Sequence, residues 1–197
     1  TAAGTGLADV RLRTPVPPGR TRDVQVVRQD DALVLSSRLV DADAAGWLTH
    51  CSAVIAADDD LHDEIDEDEV RRRCGESLPP SHVVDILAEL GVAAMGFDWQ
   101  VLDLRRGEDE LLGWVSARAD RSAPATWASL VDAATSAAST VFDGPPRLRM
   151  PARIDRVRVR GEAPAMALLH VRRRPGTTTT DVSIADPSGA VRVCISG

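Results

Sequence analysis

The sequence predicts an α+β fold in which one antiparallel sheet curls round a single central helix. Three observations point to it. Residues 126–142 form the only long segment with small-residue helical character between two clear breaks. Strand-length runs rich in Val, Leu and Ile fill most of the remaining chain, and turn residues separate them at short intervals.

Within 126–142, Trp127, Leu130 or Val131, Ala134, Ala138 and Val141 recur at helical spacing and make one apolar stripe. The neighbouring Ala, Ser and Thr side chains are short, so a sheet can approach this helix closely and wrap it. Asp132 is the only charge inside the segment. A carboxyl held in that setting loses water, which disfavours its anion and keeps a proton donor loaded. The competing reading is an exposed or capping Asp on an amphipathic helix.

Composition sets the outer limits. The 197 residues suffice for one large domain or two small ones, and a net charge of -7 argues against a general nucleic-acid binder. No apolar run approaches the roughly 20 residues that span a bilayer, and the start lacks the regions of a signal peptide, so a cytoplasmic, membrane-free protein is expected. Cys51, Cys74 and Cys194 are widely spaced and show neither a disulfide framework nor a zinc pattern. Lys, Tyr and Asn are absent while Arg, Ala, Val and Asp abound, the signature of a high-GC bacterial gene. A first residue other than Met, followed almost at once by strand-like sequence, suggests a piece of something longer.

In chain order, strands are expected at 7–16, 22–28, 32–40 and 46–56, arranged as an antiparallel meander. Residues 57–73 then change character: nine carboxylates lie between Asp58 and Glu69, followed by Arg71, Arg72 and Arg73. The spacing lacks the glycine turn and terminal Glu of a calcium loop, and like charges at this density read as a solvated linker. No metal is expected. A helix at 81–90 follows Pro79-Pro80, with Ser81 as N-cap, and Gly91 ends it. His82 reads as a surface residue of its first turn. Strands at 100–105 and 110–118 make a hairpin before the 126–142 helix. After the break at Asp143-Gly-Pro-Pro146, strand-like runs at 147–150, 152–160, 165–173, 180–185 and 190–195 complete a second antiparallel meander. Arg172, Arg173 and Arg174 read as a solvated strand end and 177–180 as a loop.

A sheet curled round one helix is the hotdog architecture. The domain reading is therefore 1–56 as the C-terminal part of a first hotdog, 57–80 as an acidic linker, and 81–197 as a complete second hotdog.

Several stretches resemble the dehydratase domain of bacterial modular polyketide synthases, a double hotdog. The family's Tyr-Gly-Pro-x-Phe-Gln turn stands here as Met95-Gly96-Phe97-Asp98-Trp99-Gln100, and its His-Pro-x-Leu-Leu-Asp helix start as Trp127-Ala128-Ser129-Leu130-Val131-Asp132. Trp47-Leu-Thr-His50 is similar to its Trp-x-x-His, Val70-Arg-Arg-Arg-Cys74 to its Arg-x-Arg-Cys, and Arg149-Met-Pro-Ala-Arg-Ile154 to its Leu-Pro strand entry.

The resemblance implies elimination of water from a 3-hydroxyacyl thioester, with Asp132 as the acid. Met95, Trp99, Gln100, Trp127 and Ser136 would meet the substrate. No cofactor is implied, since the substrate rides on the phosphopantetheine of an acyl carrier protein. The implied partners are that carrier and other synthase domains, with a homodimer through the parent synthase and with neither nucleic acid nor membrane.

Departures from the family pattern bear on activity. The base His sits in a His-x-x-x-Gly-x-x-x-x-Pro motif that would precede residue 1, and none of His50, His62, His82 and His170 replaces it by position. Trp127 stands for the helix-start His, Phe97 for a turn Pro, and Ser136 for a longer Gln or His. Two alternatives follow: a catalytically degenerate domain that binds acyl chains or scaffolds the synthase, and a hotdog double-bond isomerase or cyclase.

Overall fold

The computed structural model describes residues 5–16, 19–40, 46–57, 63–117 and 126–197. Its strands are β1 (Thr5–Leu12), β2 (Arg22–Gln29), β3 (Ala32–Leu39), β4 (Leu48–Ala57), β5 (Glu76–Leu78), β6 (Trp99–Gly107), β7 (Glu110–Ala117), β8 (Arg153–Val159), β9 (Met166–Arg173), β10 (Thr180–Ala185) and β11 (Val191–Ser196). Its helices are α1 (Glu67–Arg73), α2 (His82–Glu89) and α3 (Ala128–Ser139). The strands join in one 11-stranded antiparallel sheet of order β2-β3-β4-β1-β8-β11-β10-β9-β7-β6-β5. No described helix is long and apolar enough to cross a membrane.

Neither half is the simple meander the strand order along the chain suggests. β1 leaves sequence order to pair with both β4 and β8, and that pairing makes two halves one sheet. In the second half, β8 pairs with β11 instead of β9. Residues 147–152 form no strand, and the central helix is shorter than the expected 126–142.

α3 fills the inner face of the second half. Its buried residues are Leu130, Ala133, Ala134, Ala137 and Ala138, and four of these five are alanine, so the sheet closes against the helix with little side chain between. Leu111, Val115, Leu169, Val171, Val182, Val193 and Ile195 complete this core. Directly paired residues share a face of the sheet, and so do alternate residues of one strand. The inner face therefore passes from Ile195 to Val157, Leu7 and Ile55, and on through Cys51 and Leu35 to Val26. No described helix covers its far end, where Val24 and Val26 are 58% and 67% exposed.

The acidic segment differs most from expectation. Of residues 57–80, expected as an acidic linker, 58–62 lie outside the described residues, while α1 packs on the outer face of the second half and β5 pairs with β6 at the sheet edge. Asp66 caps α1 by accepting from the Glu69 backbone N–H at 2.9 Å. Glu67, Asp68 and Glu69 occupy the first turn and Arg71, Arg72 and Arg73 the last, which complements the helix dipole. Val70 and Cys74 then pack on Leu112 and Leu168 as a second small core. β7 is thus buried on both faces, which explains its unbroken apolar run.

Arg73 ties this layer down: its guanidinium donates to both carboxylate oxygens of Glu110, at 2.9 and 3.2 Å, and His170 Nε2 lies 2.9 Å from Oε2. The expected solvated end at 172–174 is also partly engaged, since Arg174 forms a two-bonded pair with Asp181. His82 is half-buried, not a surface residue, and its ring nitrogen meets Arg106 Nη2 at 3.1 Å. Ser81 occupies the N-cap of α2 but makes no side-chain capping bond.

Candidate active site

Asp132 lies one turn into α3, on the half-buried arc of the helix. Successive helical residues advance by about 100°, so Asp132, Thr135, Ser136 and Ser139 fall within about 100° of one another. All four are half-buried, whereas Leu130, Ala133, Ala134 and Ala137 opposite them are buried. The packed side of the helix is thus spent on the core, and the polar side remains for chemistry.

The carboxyl is held from across the sheet. Trp99, the first residue of β6, donates its indole N–H to Asp132 Oδ2 at 2.8 Å. The loop before it comes close as well. A Cβ built on Gly96 would lie 3.7 Å from Oδ1 and 3.9 Å from Oδ2, in ordinary contact with the carboxyl.

The other residues singled out from the sequence each have their own setting. Met95 is half-buried and packs against the inner core. Trp127 stands at the N-cap of α3 and donates its indole N–H to the Gly161 carbonyl at 3.2 Å, tying the helix start to the β8–β9 connection. Gln100 is exposed on β6. Ser136 lies one turn beyond Asp132, and no hydrogen bond joins the two.

No described histidine faces Asp132. Both ring nitrogens of buried His50 are engaged, Nδ1 with the Thr14 carbonyl and Nε2 with Ser37 Oγ, each at 2.7 Å. A carbonyl only accepts, so Nδ1 is the donor to Thr14. His82 and His170 have their pKa lowered by burial, with the Arg106 charge adding for His82 and Glu110 only partly offsetting it for His170. His62 lies outside the described residues.

A cavity of about 550 Å³ runs along the open arc of α3 toward its C-terminal end. Thr135 and Ser139 line its near wall, Ile154, Val182 and Ile195 its apolar floor, and Thr178, Thr179 and Thr180 its rim. Asp132 is not among the lining residues, but it sits three positions before Thr135 on the same arc. Arg149, also at the rim, stacks over Phe142 at 4.1 Å from the ring centroid. These residues carried no functional signal in the sequence. The run 177–180 read only as a loop, and the lining joins strands far apart along the chain. The half-buried Asp132 carboxyl, held by Trp99, and the cavity lined by Thr135 and Ser139 thus lie along one helix, a turn apart.

No family model matches the chain. Its sequence is 36% identical over 208 residues to "6-methylcalicylic acide synthase" of Aspergillus clavatus, covering 95% of this chain and 12% of that protein. It is also 36% identical over 211 residues to the 6-methylsalicylic acid synthase of Penicillium patulum, with the same coverage of 95% and 12%. The 5-methyl-1-naphthoate synthase of Streptomyces sahachiroi is 32% identical over 201 residues, covering 96% and 11%. The chain thus spans about 12% of the length of the curated relatives it matches.

Among solved structures, an inactive variant of the CurK dehydratase superposes with a TM-score of 0.82 at 16% identity, covering 100% of this chain and 75% of that one. The dehydratase domain from the CurF module of the curacin polyketide synthase gives 0.80 at 15% identity, covering 100% and 76%. The dehydratase domain of RzxB from Pseudomonas fluorescens gives 0.72 at 20%, again covering 100% and 76%. The chain has the hotdog fold of polyketide synthase dehydratase domains.

Proposed function

We propose that this chain is the greater part of a dehydratase domain of a large synthase, with Asp132 as its general acid. The substrate is a 3-hydroxyacyl thioester on the phosphopantetheine arm of an acyl carrier protein, and the acyl chain lies along the open arc of α3. A base supplied from outside the described residues removes the proton between the thioester carbonyl and the carbinol carbon. Asp132 protonates the departing hydroxyl, and the products are the 2-enoyl thioester and water. The reading carries with it a cytoplasmic synthase, the carrier protein and sister domains as partners, and a homodimer through the parent chain.

One observation supports it most: a single carboxyl, alone on an otherwise uncharged helix, is anchored by Trp99, and the same helix carries a cavity of about 550 Å³ one turn further on. The relatives add support from the CurK dehydratase, whose inactive variants replace an aspartate by asparagine in one case and a histidine by phenylalanine in the other.

The test is the full-length polypeptide, wild type and Asp132→Asn, given a 3-hydroxyacyl carrier-protein substrate, with the product weighed by mass spectrometry. Wild type releases one water, and Asp132→Asn does so about 100- to 10,000-fold more slowly, the range general acids contribute. An Asp132→Asn protein that dehydrates at the wild-type rate refutes the assignment. A product that keeps the substrate's mass identifies a double-bond isomerase or cyclase instead. The described histidines favour a second reading, because each is engaged elsewhere and none reaches Asp132. Under it the domain binds or scaffolds without catalysing, and Asp132→Asn leaves the full-length product mixture unaltered.

A further inference from the structure

We propose that Trp99 is the positioning residue of the Asp132 carboxyl and selects which of its two oxygens delivers the proton; the inference rests on the acid role proposed above. Trp99 Nε1 lies 2.8 Å from Oδ2 and is the one hydrogen-bond donor to this carboxyl among the described residues. An indole N–H is a donor only and does not titrate at any working pH. Oδ2 is therefore always an acceptor, and the acid's proton resides on Oδ1.

The side chains of α3 offer no substitute. Thr135, the nearest hydroxyl one turn on, is spent on backbone carbonyls, donating to Val131 and Asp132 at 2.9 and 3.2 Å. Ser136, at the i+4 position where a longer amide would reach back to Asp132, makes no bond to it. Restraint comes instead from a separate element. Trp99 opens β6 opposite Ala117, and its ring packs against the inner core, so the donor is carried by the sheet while the acid is carried by the helix. Gly96, three residues earlier, brings the loop to the same carboxyl, where a Cβ would meet Oδ1 at 3.7 Å and Oδ2 at 3.9 Å. Loop and strand together define one orientation of a short side chain that would otherwise sample several rotamers on an open helix face.

The experiment measures kcat and KM for dehydration in the full-length polypeptide carrying Trp99→Phe, which keeps an aromatic ring against the core and deletes only the N–H. The expected result is a kcat lower by about 10- to 100-fold with KM within about 2-fold of wild type, because orientation and not binding is lost. Adding Ser136→Gln to that variant supplies an amide donor at i+4 and is expected to recover at least about 5-fold of the lost kcat. A merely structural Trp99 would not be rescued from the helix. Wild-type kcat in Trp99→Phe overturns the proposal, and so does a loss that Ser136→Gln fails to recover while the folded signature in circular dichroism is retained. Asp132→Asn measured alongside separates the two levels. An active Asp132→Asn enzyme overturns the acid role and the anchor with it, whereas an inactive one beside a fully active Trp99→Phe overturns only the anchor.

Discussion

Changing Glu110 to alanine strands two groups on the outer face of the sheet. The Glu110 side chain is 9% exposed and His170, which it meets at 2.9 Å, is 11% exposed, while Arg73 on α1 retains 43%. Removing one partner of a buried ion pair costs about 3–5 kcal/mol, because the charge left behind has lost its solvation. Here the stranded guanidinium can turn to water and still reaches Glu69 at 2.8 Å, which lowers the expected loss to about 2–3 kcal/mol. The pH dependence follows from both groups. Burial pushes the Glu110 carboxyl up, but the hydrogen bonds from Arg73 and His170 outweigh it and hold the group below its ordinary 4.5. Burial also depresses His170 below its ordinary 6.5, and Glu110 offsets only part of that. Each group binds fewer protons folded than unfolded, so the stability it contributes is complete above its ordinary value and drains away as pH falls through its folded one. Urea unfolding followed by tryptophan fluorescence reads the effect, because Trp114 donates to Glu67 of α1 at 2.9 Å. Wild type should weaken from about pH 6.5 downward, and the penalty of Glu110→Ala should shrink below about pH 4.5 as the wild-type carboxyl itself becomes protonated. A penalty under about 0.5 kcal/mol at neutral pH, or one identical at about pH 7 and pH 3, would refute the ion-pair account.

Two further outcomes follow from the same layer. A Cβ at Gly107 would lie 2.9 Å from the Arg73 carbonyl and 3.0 Å from Glu110 Cγ, so Gly107→Ala must push α1 off the sheet. It should destabilise by about 1–3 kcal/mol in the same unfolding assay, and unchanged stability would show that α1 shifts freely. Cys74 is fully buried and its thiol is pushed up to about 11, chiefly by burial and then by the Glu110 charge. Under native conditions at neutral pH, mass spectrometry after iodoacetamide treatment should find half-buried Cys51 and Cys194 modified before Cys74, and early labelling of Cys74 would show that α1 opens readily.

What could be read from the chain and what could not divides along the two faces of the sheet. The inner face is governed by local periodicity: the alanine stripe of α3 and the alternation in β10 and β11 announce themselves within a few residues, and the hotdog fold follows. The outer face depends on pairings such as Arg73 with Glu110, separated by 37 residues, and there the density of carboxylates hid a capped helix. A signal is present, since Asp66 stands three residues before Glu69 and the acidic turn precedes a basic one, the pattern of a capped helix that complements its dipole. The strand order was equally closed to inspection, because β1 pairs across the chain with β8 and nothing in either strand names its neighbour. The candidate site shows the same division inside a single constellation. Asp132 was legible as the lone charge on an apolar helix, whereas its tie to Trp99, 33 residues away, was not. Periodicity alone can set a carboxyl on one arc of a helix, but a second element must hold it, and here that element is β6 through Trp99. The chemistry of such a site is therefore divided between a position that sequence pattern reveals and an orientation that only the folded sheet supplies.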